Sequence, residues 1–407
     1  MNQAKEAAAH TNLWRAAVET EFVEELRRFT ARRIAPHADD IDQRDVYPLE
    51  IMKAMAKAGY NTITLDREYG GAARSYKHAV SVFEEVSVAS AAVGISLITI
   101  FQAQTMLRLF GADSLKQRYL PLFAGGLISS YALTEASHGS DIRSLDTKAW
   151  REGDEWVIDG EKSFITSGSA AEFFIILAET PGGVSVFAVP RDISGLTAYK
   201  GANSATFGLR NGPHMNIRLQ NVRLPLDHLI GVEGKGVRQA VTVLDYSRTL
   251  AGAISLGIAR AAFEDALARA RSRLAFDQKV LELQGIQWYF ADMLTEIDAA
   301  RLLVYAAADA LERHDDIARW SSEAKLKACA MATDVAARAV QICGAYGVTE
   351  SAPFGRYLRD AKAYEIAGGS AEVLKNTIGK YLLKANIAPR VEKVIAMPTK
   401  TGSLAGT

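Results

Sequence analysis

Tyr131-Ala132-Leu133-Thr134-Glu135-Ala136-Ser137-His138-Gly139-Ser140-Asp141 is followed a little later by Trp156-Val157-Ile158-Asp159-Gly160-Glu161-Lys162-Ser163-Phe164-Ile165-Thr166-Ser167. The first run mixes apolar residues with closely spaced Thr, Ser and Gly. Such a loop lets backbone N–H and C=O groups come close to a flat polar ligand. In the second run, Asp159-Gly160 sits between two apolar stretches and predicts a tight turn with positive φ joining antiparallel strands. Around these two runs the hydrophobic period is two, whereas on either side of them it is helical.

Upstream, residues 1–129 read as helices. Phe22, Leu26 and Phe29 recur at helical spacing with Arg27, Arg28 and Arg32 on the other side. Pro36 ends or closely follows that helix, and Pro48–Gly59 predicts a second, shorter one. Tyr69-Gly70-Gly71 breaks the chain, and helices over Lys77–Val88 and Ser90–Phe110 follow, with Gly111 placed to stop the latter. Val86–Leu107 carries no charge over 22 residues, long enough to raise the question of a membrane span. Its three Ser, two Thr and two Gln and the absence of a one-sided basic flank favour a buried core helix.

Downstream, Phe173–Leu177 and Val184–Val189 read as strands joined through Thr180-Pro181-Gly182-Gly183, with two more strands at Asn216–Leu219 and Val222–Leu224. Helices resume at Gly236. Leu256, Phe263 and Leu267 mark one face, and Asp265 and Arg269 form an i,i+4 pair on the other. Ile286, Phe290, Met293, Ile297, Ala300 and Val304 repeat in a 4-3-4-3-4 seam suited to a helical bundle. Ser322–Gly344 and Ala371–Lys384 supply two more helices. From Ile387 periodicity is lost. The boundaries expected are a helical domain over 1–129, a β domain over 130–236, a helical bundle over 237–386 and a loosely ordered tail over 387–407.

The 47 Lys plus Arg balance the 47 Asp plus Glu, so no net field favours nucleic acid or an anionic membrane. Only two cysteines, Cys329 and Cys343, are present, which excludes a disulfide framework and a Cys-based zinc site. MNQAKEAAAH lacks the regions of a signal peptide, making a cytoplasmic enzyme the default expectation. With 407 residues the chain can bury a large core in two or three subdomains.

The two opening runs resemble the acyl-CoA dehydrogenase motifs T-E-P-G-A-G-S-D and G-x-K-x-W-I-T-N, and Leu65–Gly71 resembles that family's L-D-x-E-Y-G-G turn. Arg273-Leu274-Ala275-Phe276 is similar to its R-x-x-F, and matches continue in order to about Leu383. The resemblance implies an α+β fold: a helical N-terminal domain, a small middle β-barrel or sandwich, and a C-terminal four-helix bundle. It further implies an FAD-dependent oxidoreductase acting on an acyl-CoA or carrier-protein thioester. The electron acceptor would be an electron-transfer flavoprotein or oxygen. Residue by residue, it implies flavin contacts at Tyr131, Leu133, Thr134, Phe164, Thr166, Ser370 and Glu372. A neighbouring subunit would supply Arg273, Phe276, Gln284, Gln341 and Gly344, hence a homo-oligomer such as a dimer or tetramer. The pyrophosphate of FAD carries two negative charges and needs cations or helix N-termini, and the resemblance gives that role to Arg273. Ser140, Tyr246 and Gly368 would face the substrate. Asp277 stands where the family commonly has Gly, putting a negative charge near the presumed pyrophosphate.

Removing the α-proton of an acyl thioester calls for a base, in many enzymes a carboxylate with a raised pKa. The family places this Glu in I-Y-E-G-T or in L-D-x-E-R. The matching runs here are Ile366-Ala367-Gly368-Gly369-Ser370 and Leu244-Asp245-Tyr246-Ser247-Arg248, so the two base positions hold Gly368 and Ser247. Glu365 and Asp245, with Arg248 beside it, are the nearest catalytic candidates; Tyr246 and His138 are weaker ones. The alternatives are a base-free thioester reaction of the desulfination type, a flavin monooxygenase-like relative and an inactive flavin-binding scaffold. Val93-Gly94-Ile95-Ser96 lacks the Arg expected of the desulfinase branch. The empty base position predicts a branched, cyclic or polar acyl group.

Overall fold

The computed structural model describes residues 18–384, so the tail expected from Ile387 lies outside the described residues. The N-terminal part is helical as expected. Helix α1 (Thr20–Arg33) buries Val23, Leu26 and Thr30 and carries Arg32 and Arg33 in its last turn, where they complement the helix dipole. It is followed by α2 (Ala38–Arg44) and α3 (Leu49–Lys57). Ser90, in extended conformation, separates α4 (Tyr76–Ala89) from α5 (Ala91–Phe110). Helix α5 is long and apolar enough to cross a membrane, but most of it is buried inside the protein, as its Ser, Thr and Gln content predicts. One further helix, α6 (Asp113–Ala124), encloses Pro121. Proline removes a backbone donor and argues locally against a helix; burial of Leu115, Tyr119, Leu120 and Phe123 outweighs it.

Eight strands then form one mixed sheet: β1 (Ser129–Ala132), β2 (Lys148–Glu152), β3 (Glu155–Ile165), β4 (Phe173–Thr180), β5 (Gly183–Pro190), β6 (Leu196–Lys200), β7 (Met215–Pro225) and β8 (Leu229–Ile230). The order is β6-β7-β3-β2-β4-β5-β8, with β1 parallel to β4. Along β4, Phe173, Ile175 and Leu177 face the helical core, while Phe174, Ile176 and Ala178 join a separate β core with Trp156, Phe187 and Leu224. A strand buried on both faces explains why β4 reads as a continuous apolar run.

The sheet corrects one expectation. Asp159-Gly160 is not a hairpin turn: β3 runs straight through it, and the hairpin to β2 turns at Gly153-Asp154 instead. Gly160 does take positive φ, +146°, because Asp159-Gly160 lies at a bulge against β7, and a Cβ there would sit 2.5 Å from Thr147 Cα. Bulges imitate turn signals because both need unusual φ. Across from it, Asn221 is left-handed and donates its backbone N–H to Asp159 Oδ1 at 3.1 Å. The two strands expected at 216–219 and 222–224 are therefore the single bulged strand β7.

Helix α7 spans Gly236–Ser272, followed by a hairpin of β9 (Leu274–Ala275) and β10 (Gln278–Lys279), α8 (Gln284–Arg313), α9 (Ile317–Cys343), α10 (Phe354–Ile366) and α11 (Ala371–Lys384). Helix α10 is a fifth element beyond the four expected. The predicted seam on α8 holds: Phe290, Met293, Ile297, Ala300 and Val304 are buried. Asp265 and Arg269 engage other residues: Tyr357 Oη donates to Asp265 at 2.7 Å, and Arg269 lies 3.8 Å from the Tyr346 ring centroid. Inside the protein, Arg260 on α7 and Arg301 on α8 meet Glu84 of α4 at 2.9 and 3.1 Å, tying the N-terminal helices to the C-terminal ones.

Candidate active site

The two opening runs lock each other. Lys162 on β3 reaches Glu135 at 2.7 Å with both side chains buried, and the Glu135 oxygens also accept the N–H groups of Asp146 and Thr147. Burial pulls the Lys162 ammonium down to about 8, while Lys162 and the surrounding donors hold Glu135 below the usual carboxylate range. The pair fixes the loop in which Ser137 donates to Asp146 Oδ2 at 2.5 Å and His138 lies 3.3 Å from Asp146 Oδ1. Although Glu135, His138 and Asp146 approach one another, Glu135 is already committed to Lys162. His138 therefore serves the loop.

Along this floor the backbone of Ser163 donates to Thr134 O at 2.9 Å, and Ser130 Oγ donates to Thr166 O at 2.5 Å. Tyr131, Leu133, Thr134, Phe164 and Thr166 are thereby held on one pair of adjoining segments. Phe164, at φ +58°, is a bulky residue in left-handed backbone and is exposed. Such strain costs about 1–2 kcal/mol and persists where the surroundings impose it. Tyr131 Oη is buried without a hydrogen-bond partner among the described residues, and burial raises its pKa.

A second cluster gathers around Arg248 and the Gly368-Gly369 turn. Gly368 (φ +72°) and Gly369 (φ +110°) follow the C-terminus of α10. The buried Lys325 of α9 donates to Tyr364 O at 3.2 Å and Gly369 O at 2.8 Å, closing that helix end. Burial lowers the Lys325 ammonium from its ordinary range. A Cβ on Gly368 would lie 3.8 Å from Lys325 Cε, and one on Gly369 would lie 3.5 Å from Arg248 Nη2. Arg248 donates to Asp245 at 2.6 Å with both residues buried, yet its Nε has no partner among the described residues. Burial raises the Asp245 carboxyl to about 6 against the opposing pull of Arg248. Glu365, by contrast, pairs with Lys362 at 2.7 Å. Tyr76 Oη donates to the carbonyl of Tyr246 at 3.0 Å.

Helix α5 joins the two clusters. Thr99 contacts Ser167 beside the floor at 3.3 Å, and three residues on Gln102 contacts Ser247 Oγ at 3.3 Å. Residues at i and i+3 share a helix face, so one face of α5 touches both Ser167 beside the floor and Ser247 of α7.

The remaining predicted residues sit elsewhere. Ser370 and Glu372 open α11, where the backbone and the Ser370 hydroxyl hold Glu372 below the usual carboxylate range. Ser140 is exposed beyond the Glu135 loop. Arg273 and Gly344 approach each other, with Arg273 Nη1 3.5 Å from where a Gly344 Cβ would be. Phe276 and Asp277 tip the β9–β10 hairpin with both φ values positive, so Asp277 takes the slot that glycine normally fills. Gln284 begins α8 and Gln341 ends α9, both exposed.

Three family models match the chain in order: acyl-CoA dehydrogenase N-terminal domain at 17–126, middle domain at 130–222 and C-terminal domain at 234–383. The chain belongs to the acyl-CoA dehydrogenase family. It is 35% identical to a probable acyl-CoA dehydrogenase, fadE25, of Mycobacterium leprae, over 88% of this chain and 94% of the relative. The butyryl-CoA dehydrogenase of Megasphaera elsdenii superposes with a TM-score of 0.86 at 30% identity, over 89% of this chain and 97% of that one. The prolyl acyl carrier protein oxidase AnaB superposes with a TM-score of 0.85 at 25% identity, over 89% and 98%.

As an acyl-CoA dehydrogenase family member the chain is an FAD-dependent oxidoreductase of acyl thioesters. Its residues suit the cofactor: Tyr131 Oη offers a buried unpaired group at the floor, and Arg273 forms no ion pair among the described residues, leaving its charge for a phosphate. Sequence reasoning missed Lys325, Gln102 and Thr99. Lys325 and Gln102 lie far along the chain from what they touch, and no local pattern marks them. Lys162, though quoted within a motif, gave no sign that Glu135 was its partner.

Proposed function

We propose that this acyl-CoA dehydrogenase family member carries out α,β-dehydrogenation of an acyl thioester with Asp245 as the base. Bound FAD would accept the β-hydride. Asp245 Oδ would take the α-proton while Arg248 orients the carboxylate and, once the proton is held, keeps a hydrogen bond to it. The observation that supports Asp245 over Glu365 is its burial beside Arg248, whose guanidinium lies next to Gly369, with a carboxyl raised to about 6, near the value a general base needs at neutral pH. Glu365 is occupied by Lys362.

Tyr131, Leu133, Thr134, Phe164, Thr166, Ser370 and Glu372 would hold the flavin, with Ser140 and Tyr246 toward the thioester. Space at Gly368 supports a branched, cyclic or polar acyl group. Arg273, Phe276, Gln284, Gln341 and Gly344 would complete the flavin site of a second copy. Exposed Leu274, Phe276 and Trp288 along the hairpin and α8 support such an interface. The divisions 1–129, 130–236 and 237–386 are the domains we assign.

Anaerobic mixing of the FAD-loaded protein with saturated acyl-CoA and acyl-carrier-protein thioesters tests the reading. Bleaching of the flavin absorbance with formation of the α,β-unsaturated thioester supports it. Absence of bleaching across both carriers, with the flavin bound, overturns it. Reoxidation by an electron-transfer flavoprotein or by oxygen then distinguishes the two acceptors.

A further inference from the structure

Thr166, one of the residues assigned to the flavin, has a neighbour that no motif predicts. His214 Nε2 lies 3.4 Å from Thr166 Oγ1, and the backbone of each residue is tied down: His214 N donates to Ser204 O at 2.8 Å, and Thr166 O accepts from Ser130 Oγ at 2.5 Å. His214 enters β7 just ahead of Met215, which pairs with Lys200 of β6. Asp45, which accepts the N–H of Gly212 at 3.1 Å, is the charged group acting on it from the N-terminal helices; Tyr47 packs against Gly212 from the same side. Burial keeps the imidazole below its ordinary value of 6.5 despite Asp45.

A threonine hydroxyl has one hydrogen to give and lone pairs to receive. A neutral imidazole can either donate to it or accept from it, so the hydroxyl can face its other neighbour as acceptor or as donor. An imidazolium can only donate, which rules out the hydroxyl giving its hydrogen to the ring and leaves that hydrogen for the other neighbour. A flavin ring nitrogen accepts a hydrogen bond when oxidised and carries a hydrogen when reduced. The direction of the Thr166 hydroxyl therefore discriminates between the two redox states.

We propose that His214 is a positioning residue for the flavin, setting the orientation of the Thr166 hydroxyl and so linking the cofactor's redox balance to the protonation of one imidazole. The proposal rests on the reading that Thr166 meets the flavin.

The test is the midpoint potential of the FAD-loaded protein measured against pH, from about 5 to 8. The wild type should show an inflection below pH 6.5, where His214 takes up a proton. His214→Gln keeps a side chain able to donate and accept but unable to titrate, and should hold FAD and lose the inflection. Thr166→Val should also lose it, and adding His214→Gln to Thr166→Val should change nothing further. An inflection that survives in His214→Gln, or a wild type without one, overturns the proposal. A residual effect of His214→Gln in the Thr166→Val background overturns it too, because His214 would then act by another route. If His214→Gln fails to hold FAD, the Thr166→Val comparison alone decides. Failure of the wild type to hold FAD refutes the flavin assignment itself rather than the role of His214.

Discussion

Asp245→Asn, alone and with Gly368→Glu, separates the proposed base from every other feature of the site. Asparagine keeps the size of the side chain and its hydrogen bond from Arg248, which lies 2.6 Å from Asp245 Oδ1, but it cannot hold a proton. A positioned general base contributes about a hundred- to ten-thousand-fold, so the rate of flavin reduction should fall by that factor with the protein still folded. In the wild type the rate should rise with pH through about 6, the value to which burial raises Asp245, because only the carboxylate accepts the proton. That limb should vanish in the variant. Gly368→Glu then returns a carboxylate to the family's position. The nearest atom to the new Cβ is Lys325 Cε at 3.8 Å, an ordinary contact, so the Cβ itself meets no clash. The backbone at φ +72° costs a non-glycine residue about 1–2 kcal/mol, readable as a lower urea midpoint. The double variant should recover at least a tenth of the rate on a straight-chain acyl-CoA. Stopped-flow reduction of the flavin measures both. If Asp245→Asn reduces its flavin at the wild-type rate, with the same pH limb, the base is elsewhere and the argument from burial fails.

Other outcomes follow from the same structure. Glu135→Gln leaves the buried Lys162 charge without its partner at 2.7 Å. Urea unfolding should show a loss of about 3–5 kcal/mol, and flavin should be released earlier in the titration. Gly160→Ala forces a Cβ to within 2.5 Å of Thr147 Cα at a bulge in β3, and calorimetry should show a loss of about 1–3 kcal/mol. Asp277→Gly relieves left-handed strain at φ +60° by up to about 1 kcal/mol and removes a negative charge four residues along the chain from Arg273. FAD retention during dialysis should improve, and an unchanged or faster loss would place Asp277 away from the phosphates. Arg273→Ala should lower FAD affinity with little effect on the unfolding midpoint, since Arg273 forms no ion pair among the described residues.

Much of this protein is legible along the chain. Helices α1, α4, α5 and α8 follow from apolar spacing because each buries one stripe or its whole surface, and that demand is local to the helix. The segments we assign to the flavin lie within two short runs of sequence. Helix α6 falls in the stretch read as helical, but its bounds were not given by spacing; Pro121 argues locally against a helix, and burial of Leu115, Leu120 and Phe123 by the rest of the fold overrides that. Asp159-Gly160 shows a similar limit: its sequence requires unusual φ, but whether positive φ makes a turn or a bulge depends on the strand opposite, which lies some sixty residues away. The choice between Asp245 and Glu365 as candidate base was likewise closed to the sequence, since both are carboxylates close to the runs that resemble the family's base motifs. Burial and partners favour Asp245 as the proposed base: it is buried against Arg248, while Glu365 is half-buried and paired with Lys362. Residue type and spacing determined which chemistry is present; solvent exclusion and long-range pairing, which exist only in the folded chain, decided which groups are placed to perform it.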